Sequence, residues 1–429
     1  MAFLRASDLV NTNTRLRRQT FSFAPFIKPF RINYNPKRSQ IGQLVIQSNN
    51  KSLDPLIYNS RERKHCFKNV ESELVSSNCL NDDSSTSWRV PRKVLVVLNP
   101  NSGRGRSSQI FRSEVQPILK HAGFEMEVIQ TAEAGHALAL SSTIDLRTCP
   151  NGIICVGGDG IINEVLNGLL RRSDIDRAIS VPIGIIPTGS DNSLAWSVLG
   201  IKDPVSATTA IVEGGLTSVD VFAVRWVDAA SVQFGVTAAC FGFVGDVLEL
   251  SDKYRQYFGT IRYVIAGLMK FVSLPKYSFE LEFFPSTGEK TKQNDALLPS
   301  RSEENWVKRK GEFVGILVCN HACKTVQGLN SQITAPRSAH NDGSLDLLLV
   351  HGSGRWRLLV FYIALLIRQH LLLPFVEYVK VKSVKITSTG TTQKGCGIDG
   401  ELIYANGQAT CSLVQHKLKL LGYHHRKQK

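Results

Sequence analysis

Nowhere does this 429-residue sequence hold a run of roughly 18 apolar residues, the length a membrane-spanning helix needs. The best candidate, Leu358 to Ile367, stops after ten residues at Arg368-Gln369-His370. The chain is therefore expected to be soluble or to lie on a membrane without crossing it. Cysteine is scarce: nine residues, an odd number at irregular spacings, exclude a disulfide scaffold and fit reduced thiols in an intracellular protein. No glycine-rich turn runs into Gly-Lys-Ser/Thr, so a Walker loop is absent. No Gly-x-Ser-x-Gly elbow supports a serine hydrolase. Cys319-Asn320-His321-Ala322-Cys323 gathers three soft ligands, but the lack of a second pair at zinc-like spacing speaks against a metal there.

Acid is scarce at one end. Met1 to Leu53 carries nine Lys or Arg against Asp8 alone, among many Ser, Thr and Asn. That composition suits an organelle transit peptide and equally a plain basic tail. Residues 54 to 87 stay polar and irregular, so residues 1–90 are expected to form a disordered basic leader outside the folded core. The location that follows is intracellular: mitochondrion or plastid if the leader is an address, otherwise the cytoplasm or an endomembrane surface. The whole chain has 51 Lys and Arg against 36 Asp and Glu, a net +15, much of it in that leader. With no aromatic-interleaved basic motif, nucleic acid is not an expected partner.

What remains is long enough for two domains, and 43% hydrophobic content supplies a core. Lys93 to Leu98 is a continuous β-branched run, the pattern of a strand buried on both faces. A turn and an amphipathic helix follow, to about His121. The cycle repeats with strands at Glu125 to Gln130, Gly152 to Val156 and Val181 to Ile186, each leading into a helix. Strand, Gly-bearing turn and helix, four times over, predict a parallel Rossmann-like α/β domain over residues 91–220. After Ser218 the pattern changes to alternating runs, among them Ser231 to Cys240, Ser278 to Phe284, Phe313 to Cys319 and Gln408 to Val414. Helices interrupt near 244–256, 259–273 and 354–370. This predicts an antiparallel, β-sandwich-like second domain over residues 221–424, with a loop at 285–311 and the active site between the two domains.

The chemistry is expected in the turns, because ligands of parallel sheets sit outside the carboxyl ends of the strands. Asn99-Pro100-Asn101-Ser102-Gly103-Arg104-Gly105 offers backbone N–H groups that can approach an anion, or is an ordinary strand-to-helix turn. Gly157-Gly158-Asp159-Gly160 sets one carboxylate among three glycines, where it would serve a metal or accept a hydroxyl proton. A helix-capping Asp is the bland reading. Asn163 and Glu164 open the next helix. Pro187-Thr188-Gly189-Ser190-Asp191-Asn192 repeats the construction, with a helix cap as its alternative. Cys396-Gly397-Ile398-Asp399-Gly400-Glu401 places acids in another Gly turn, itself readable as a simple hairpin.

Those four motifs in that order resemble the lipid-kinase superfamily of diacylglycerol, ceramide and sphingosine kinases. The wording from Gly157 to Gly168 and from Gly189 to Trp196 is most similar to plant-type sphingoid long-chain base kinases. The resemblance covers about Lys93 to Leu421 and implies ATP-dependent phosphorylation of the primary hydroxyl of a sphingoid base, with ceramide or diacylglycerol as alternative substrates. It implies Asp159 as general base, with Gly157, Gly158 and Gly160 around the reacting hydroxyl. Asn99, Pro100, Asn101, Ser102 and Gly103, with Thr131-Ala132-Glu133-Ala134-Gly135, would hold ATP phosphates. Glu164, Gly189, Ser190, Asp191, Arg255 and Arg262 would complete the nucleotide pocket. Asp399, Gly400 and Glu401 would close it, the acids near Mg2+, and Asp246 would meet the sphingoid ammonium. Ile161 and Asp191 depart from residues common in the family. An NAD-kinase-like enzyme and a lipid-binding regulatory protein without catalysis are the rival readings. The membrane, as a peripheral surface, is the expected partner besides the lipid.

Overall fold

The computed structural model describes residues 91–190, 192–227, 232–258, 261–286, 306–325, 332–390, 395–404 and 407–422. The leader at 1–90 and Asp191 lie outside the described residues. Strand β1 (Arg92–Leu98) pairs in parallel with β2 (Phe124–Gln130) on one side and β3 (Ile153–Gly157) on the other, and β3 pairs with β4 (Ile183–Pro187). The order 2-1-3-4 creates a switch point between β1 and β3, the position outside whose strand ends open parallel sheets bind ligands. Val94–Leu98, β3 and β4 are buried throughout, which is why they read as unbroken apolar runs. β2 lies at the edge and accordingly alternates, with Glu125 and Glu127 in its run.

The longer helices are α1 (His136–Thr143), α2 (Asp159–Leu170), α3 (Pro204–Glu213), α4 (Phe243–Lys253), α5 (Arg262–Val272) and α6 (Arg355–Leu366). The second half adds β5 (Leu216–Trp226), β6 (Val232–Gly235), β7 (Ala238–Gly242), β8 (Ser278–Pro285) and β9 (Val307–Cys319). It continues with β10 (Lys324–Thr325), β11 (Gln332–Ile333), β12 (Leu345–His351), β13 (Val376–Ser388), β14 (Gly395–Ile398), β15 (Glu401–Tyr404) and β16 (Gln408–Leu421). β9 and β13 change neighbours midway. β9 pairs first with β8 and then with β7 and β12, while β13 pairs first with β12 and then with β8 and β16. The antiparallel ladder thereby curls over a core of Phe222, Phe279, Phe283, Phe313 and Leu347, which is the sandwich-like arrangement expected.

Strand β16 joins the halves. Its Ala409–Leu413 stretch pairs with β5 and β13, and after a register shift Lys417–Leu421 continues along β5 and reaches β4 in parallel. Ala409 and Cys411 point into the β-rich core, Leu418 and Leu420 into the parallel-sheet core.

Three sequence expectations are corrected. The run Ser231 to Cys240 is two strands, because the N–H groups of Val236, Thr237 and Ala238 leave the ladder for the Asp399 carboxylate. The expected loop at 285–311 is shorter within the described residues, since β9 begins at Val307 to pair with β8. The last strand extends seven residues past Val414 and reaches the parallel strands of the same sheet. No helix among the described residues is long and apolar enough to cross a membrane.

Because Leu418 is fully buried in the strand both halves share, Leu418→Ala should cost about 2–5 kcal/mol. Urea unfolding of the full chain, followed by fluorescence and by circular dichroism, should show coincident transitions moved to lower denaturant.

Candidate functional site

Three turns converge at the carboxyl ends of β1, β3 and β4. The turn after β1 puts Gly103 and Arg104 in the left-handed region, at φ 59° and 58°. It is held by the Asn101 N–H donating to Asn99 Oδ1 at 3.0 Å and by Ser107 Oγ donating to the Asn99 carbonyl. A Cβ on Gly103 would come 2.8 Å from the Thr188 carbonyl, and the Thr188 and Ser102 hydroxyls lie 3.3 Å apart. The turn after β4 in turn packs on the turn after β3. Thr188 and Gly189 donate to the Gly157 carbonyl at 2.9 and 3.1 Å, and a Cβ on Gly189 would overlap the Gly158 backbone. Glycines are required here because three main chains share one small volume.

Asp159 is the first residue of α2 and is half-buried. Its Oδ2 accepts the Ser193 N–H at 2.7 Å and its Oδ1 the Leu194 N–H at 3.1 Å. It therefore caps the neighbouring helical turn rather than its own helix. Burial raises its pKa to about 6; the two N–H donors oppose the rise and the nearby Asp399 adds to it. Two of roughly four carboxylate lone-pair positions are taken, so acceptor capacity remains for a substrate proton.

Asp399 is occupied differently. Its Oδ1 accepts Thr237 N–H at 2.8 Å and Ala238 N–H at 3.1 Å, and its Oδ2 accepts Val236 N–H at 2.8 Å and Asn163 Nδ2 at 2.9 Å. Four donors fill it, and burial nonetheless moves its pKa upward against them. Asp399 and Gly400 both have positive φ, the hairpin turn joining β14 to β15, so the motif is a hairpin and a staple at once. The staple sets Glu401 beside α2: a Cβ on Gly160 would sit 3.2 Å from Glu401 Oε1.

The other expected residues separate. Glu164 Oε2 accepts the Ala137 N–H at 3.0 Å, so it caps α1 and thereby positions Thr131, Ala132, Glu133, Ala134 and Gly135. Ser190 is exposed and Thr188 buried at the β4 turn, where the Asn192 side chain bonds both the N–H and the carbonyl of Gly189. Asp246 is buried, and its Oδ2 already receives Lys270 Nζ at 3.2 Å and Tyr277 Oη at 2.9 Å, an internal cation in the place expected for a ligand ammonium. Arg262 donates to Tyr263 Oη and lies over that ring. Arg255 lies in a short helical turn, Arg255–Phe258. Pro100 sits in the β1 turn between the residues described above.

Sequence reasoning missed the amides of Ser193 and Leu194 and the buried network of Asn163, Asn167 and the Phe234 backbone, which ties α2 to β6. The Asn163/Asn167 spacing of four on an otherwise apolar helix face was the available signal. Among the described residues no group of three His, Cys, Asp or Glu is arranged to hold a metal ion.

The Asp399 staple predicts a stability effect. Asp399→Ala strands four donors, two buried and two half-buried, and should cost roughly 2–5 kcal/mol in urea unfolding. A variant as stable as the wild type would show that the carboxylate does not brace this region.

Residues 93–224 match the diacylglycerol kinase catalytic domain. The chain is 36% identical to sphingoid long-chain bases kinase 1 of Arabidopsis thaliana, over 77% of this chain and 67% of that protein. It is 32% identical to sphingosine kinase 1 of the same plant, over 68% of this chain and 64% of that protein. It thus spans about two thirds of these relatives' lengths. A solved diacylglycerol kinase from Bacillus anthracis str. Sterne aligns with 77% of this chain and 97% of its own, at a TM-score of 0.51 and 17% identity, a likeness of fold. With the motifs, the sheet order and these relatives in agreement, the chain belongs to the lipid kinases built on the diacylglycerol kinase catalytic domain.

Proposed function

We propose that this lipid kinase transfers the γ-phosphoryl group of ATP to the primary hydroxyl of a sphingoid base, with Asp159 as general base. The observation that carries the reading is the Asp159 carboxylate at the convergence of three strand-end turns, half-satisfied and with its pKa lifted to about 6. The names of the two plant relatives favour a sphingoid base over diacylglycerol.

In this scheme the β1 turn, with its successive left-handed residues, offers N–H groups to the ATP phosphates. The segment Thr131–Gly135, fixed by Glu164, flanks the nucleotide. As the substrate oxygen bonds to the γ-phosphorus, the bond to ADP breaks and ADP keeps its electron pair. The hydroxyl proton passes to Asp159. Magnesium supplies charge neutralisation on the phosphates when bound. The residues fit it through Glu401, because magnesium needs only one or two carboxylates beside phosphate oxygens and water. Asp399, with four donors, acts as a brace and not as a ligand.

Four outcomes are expected. Asp159→Asn should lower lipid phosphorylation by about 10²–10⁴-fold while ATP binding, read by calorimetry, persists. Equal turnover would remove Asp159 as the base. The base must be ionised, so kcat/KM for the lipid should rise as pH increases through about 6, and a flat profile there would contradict the assignment. The same shift acts oppositely on stability: the folded state holds this proton more tightly, so the group favours folding below the usual 3.8 and loses that contribution as pH rises through about 6. Labelled ATP offered with sphingoid bases, ceramide and diacylglycerol should give transfer chiefly to the first. Transfer to none would favour a lipid-binding protein without catalysis.

A further inference from the structure

Asn163 stands one turn after Asp159 on α2 and is fully buried, an amide beside Ile162, Val165 and Leu166. Every hydrogen-bonding position of its side chain is used. Nδ2 donates to Asp399 Oδ2 at 2.9 Å and to the Phe234 carbonyl at 3.0 Å. Oδ1 accepts from Asn167 Nδ2 at 3.0 Å and from Gln233 Nε2 at 3.3 Å. These four partners fix which way the amide faces, since turning it over would set its oxygen against the oxygens of Asp399 and Phe234.

The other three donors to Asp399 are main-chain N–H groups of Val236, Thr237 and Ala238, in the β6–β7 turn. Among the described residues Asn163 is thus the one side chain that holds this carboxylate, and it comes from the helix that carries Asp159. The β14–β15 hairpin turns at Asp399 and Gly400, so the amide grips the hairpin at its tip, next to Glu401. Glu401 Oε1 in turn lies 3.2 Å from where a Cβ on Gly160 would sit. We propose that Asn163 is a positioning residue for phosphoryl transfer, its amide clamping the hairpin to α2 so that Asp159 and Glu401 keep one spacing. The inference rests on the reading of Asp159 as general base. The chemistry asks for an amide because the partner is a carboxylate and the site is dry. An acid at 163 would set oxygen against oxygen, and an aliphatic side chain would leave the Asp399 and Phe234 oxygens without that donor. Displacing one reacting group by about 1 Å can cost about 10²-fold in rate, so a clamp that never touches substrate still governs turnover.

The test compares Asn163→Asp, Asn163→Ala and Leu418→Ala in the full chain, each assayed below its unfolding transition. Asn163→Asp keeps the side-chain shape and loses the donor; Asn163→Ala removes the amide altogether. Both should lower kcat on sphingoid base by about 10–10²-fold, while KM for the lipid and the calorimetric affinity for ATP stay within about threefold of wild type. Leu418→Ala weakens the core and leaves the Asn163–Asp399 bond in place, so its kcat should stay within about twofold. Without ligands, hydrogen–deuterium exchange at residues 159–163 and 395–404 should quicken in both Asn163 variants beyond any rise that Leu418→Ala produces. Wild-type kcat in Asn163→Asp, or exchange at the hairpin no faster than in Leu418→Ala, would overturn the proposal. An equal fall of kcat in Leu418→Ala would do the same, by reducing the effect to lost stability. Faster exchange in both segments while no protein transfers phosphate would keep the clamp and remove only the kinase reading.

Discussion

The site depends on how the Asp159 carboxylate is solvated. Removing it from water, near a second carboxylate, favours the neutral acid; two backbone N–H groups favour the ion. The balance leaves a group that is mostly ionised at neutral pH and still basic enough to take a proton. More donors would make it a poor base, and none would leave it protonated. Those two amides also bind the turn after β4 to the helix that starts after β3, so one interaction sets both the carboxylate's basicity and the local geometry.

Asp399 shows the alternative outcome for the same side chain. Four donors from two separate segments fill its oxygens and turn it into a structural joint between α2, the β6–β7 turn and the β14–β15 hairpin. Through that joint the C-terminal hairpin brings Glu401 to the start of α2. The acids divide by the number of donors around them, a property of their neighbours and not of the Gly-rich wording they share.

Much of the architecture was legible. Parallel strands buried on both faces have no polar side to show, so β1, β3 and β4 stand out as unbroken apolar runs at their turns. The alternation of β8, with Phe279, Leu281 and Phe283 inward, marked the change to an antiparallel half. The reach of β16 was not legible, because Gln415, His416 and Lys417 interrupt the apolar pattern where the strand shifts register between the antiparallel and parallel parts of the sheet. The break between β6 and β7 was hidden for a related reason. It is imposed by a carboxylate 160 or so residues away, and local propensity carries no trace of it.

By itself the sequence determined the succession of strand, glycine turn and helix, and the residues offered at each turn, since period and steric permission are local properties. What each carboxylate is bonded to was decided only by folding. Glu164 became a cap for α1, Asp246 met Lys270 and Tyr277, and Asp399 was saturated, while Asp159 kept open acceptor positions. The physical reason is that a carboxylate's character follows from the donors, charges and water around it, and those arrive from segments far away in the chain.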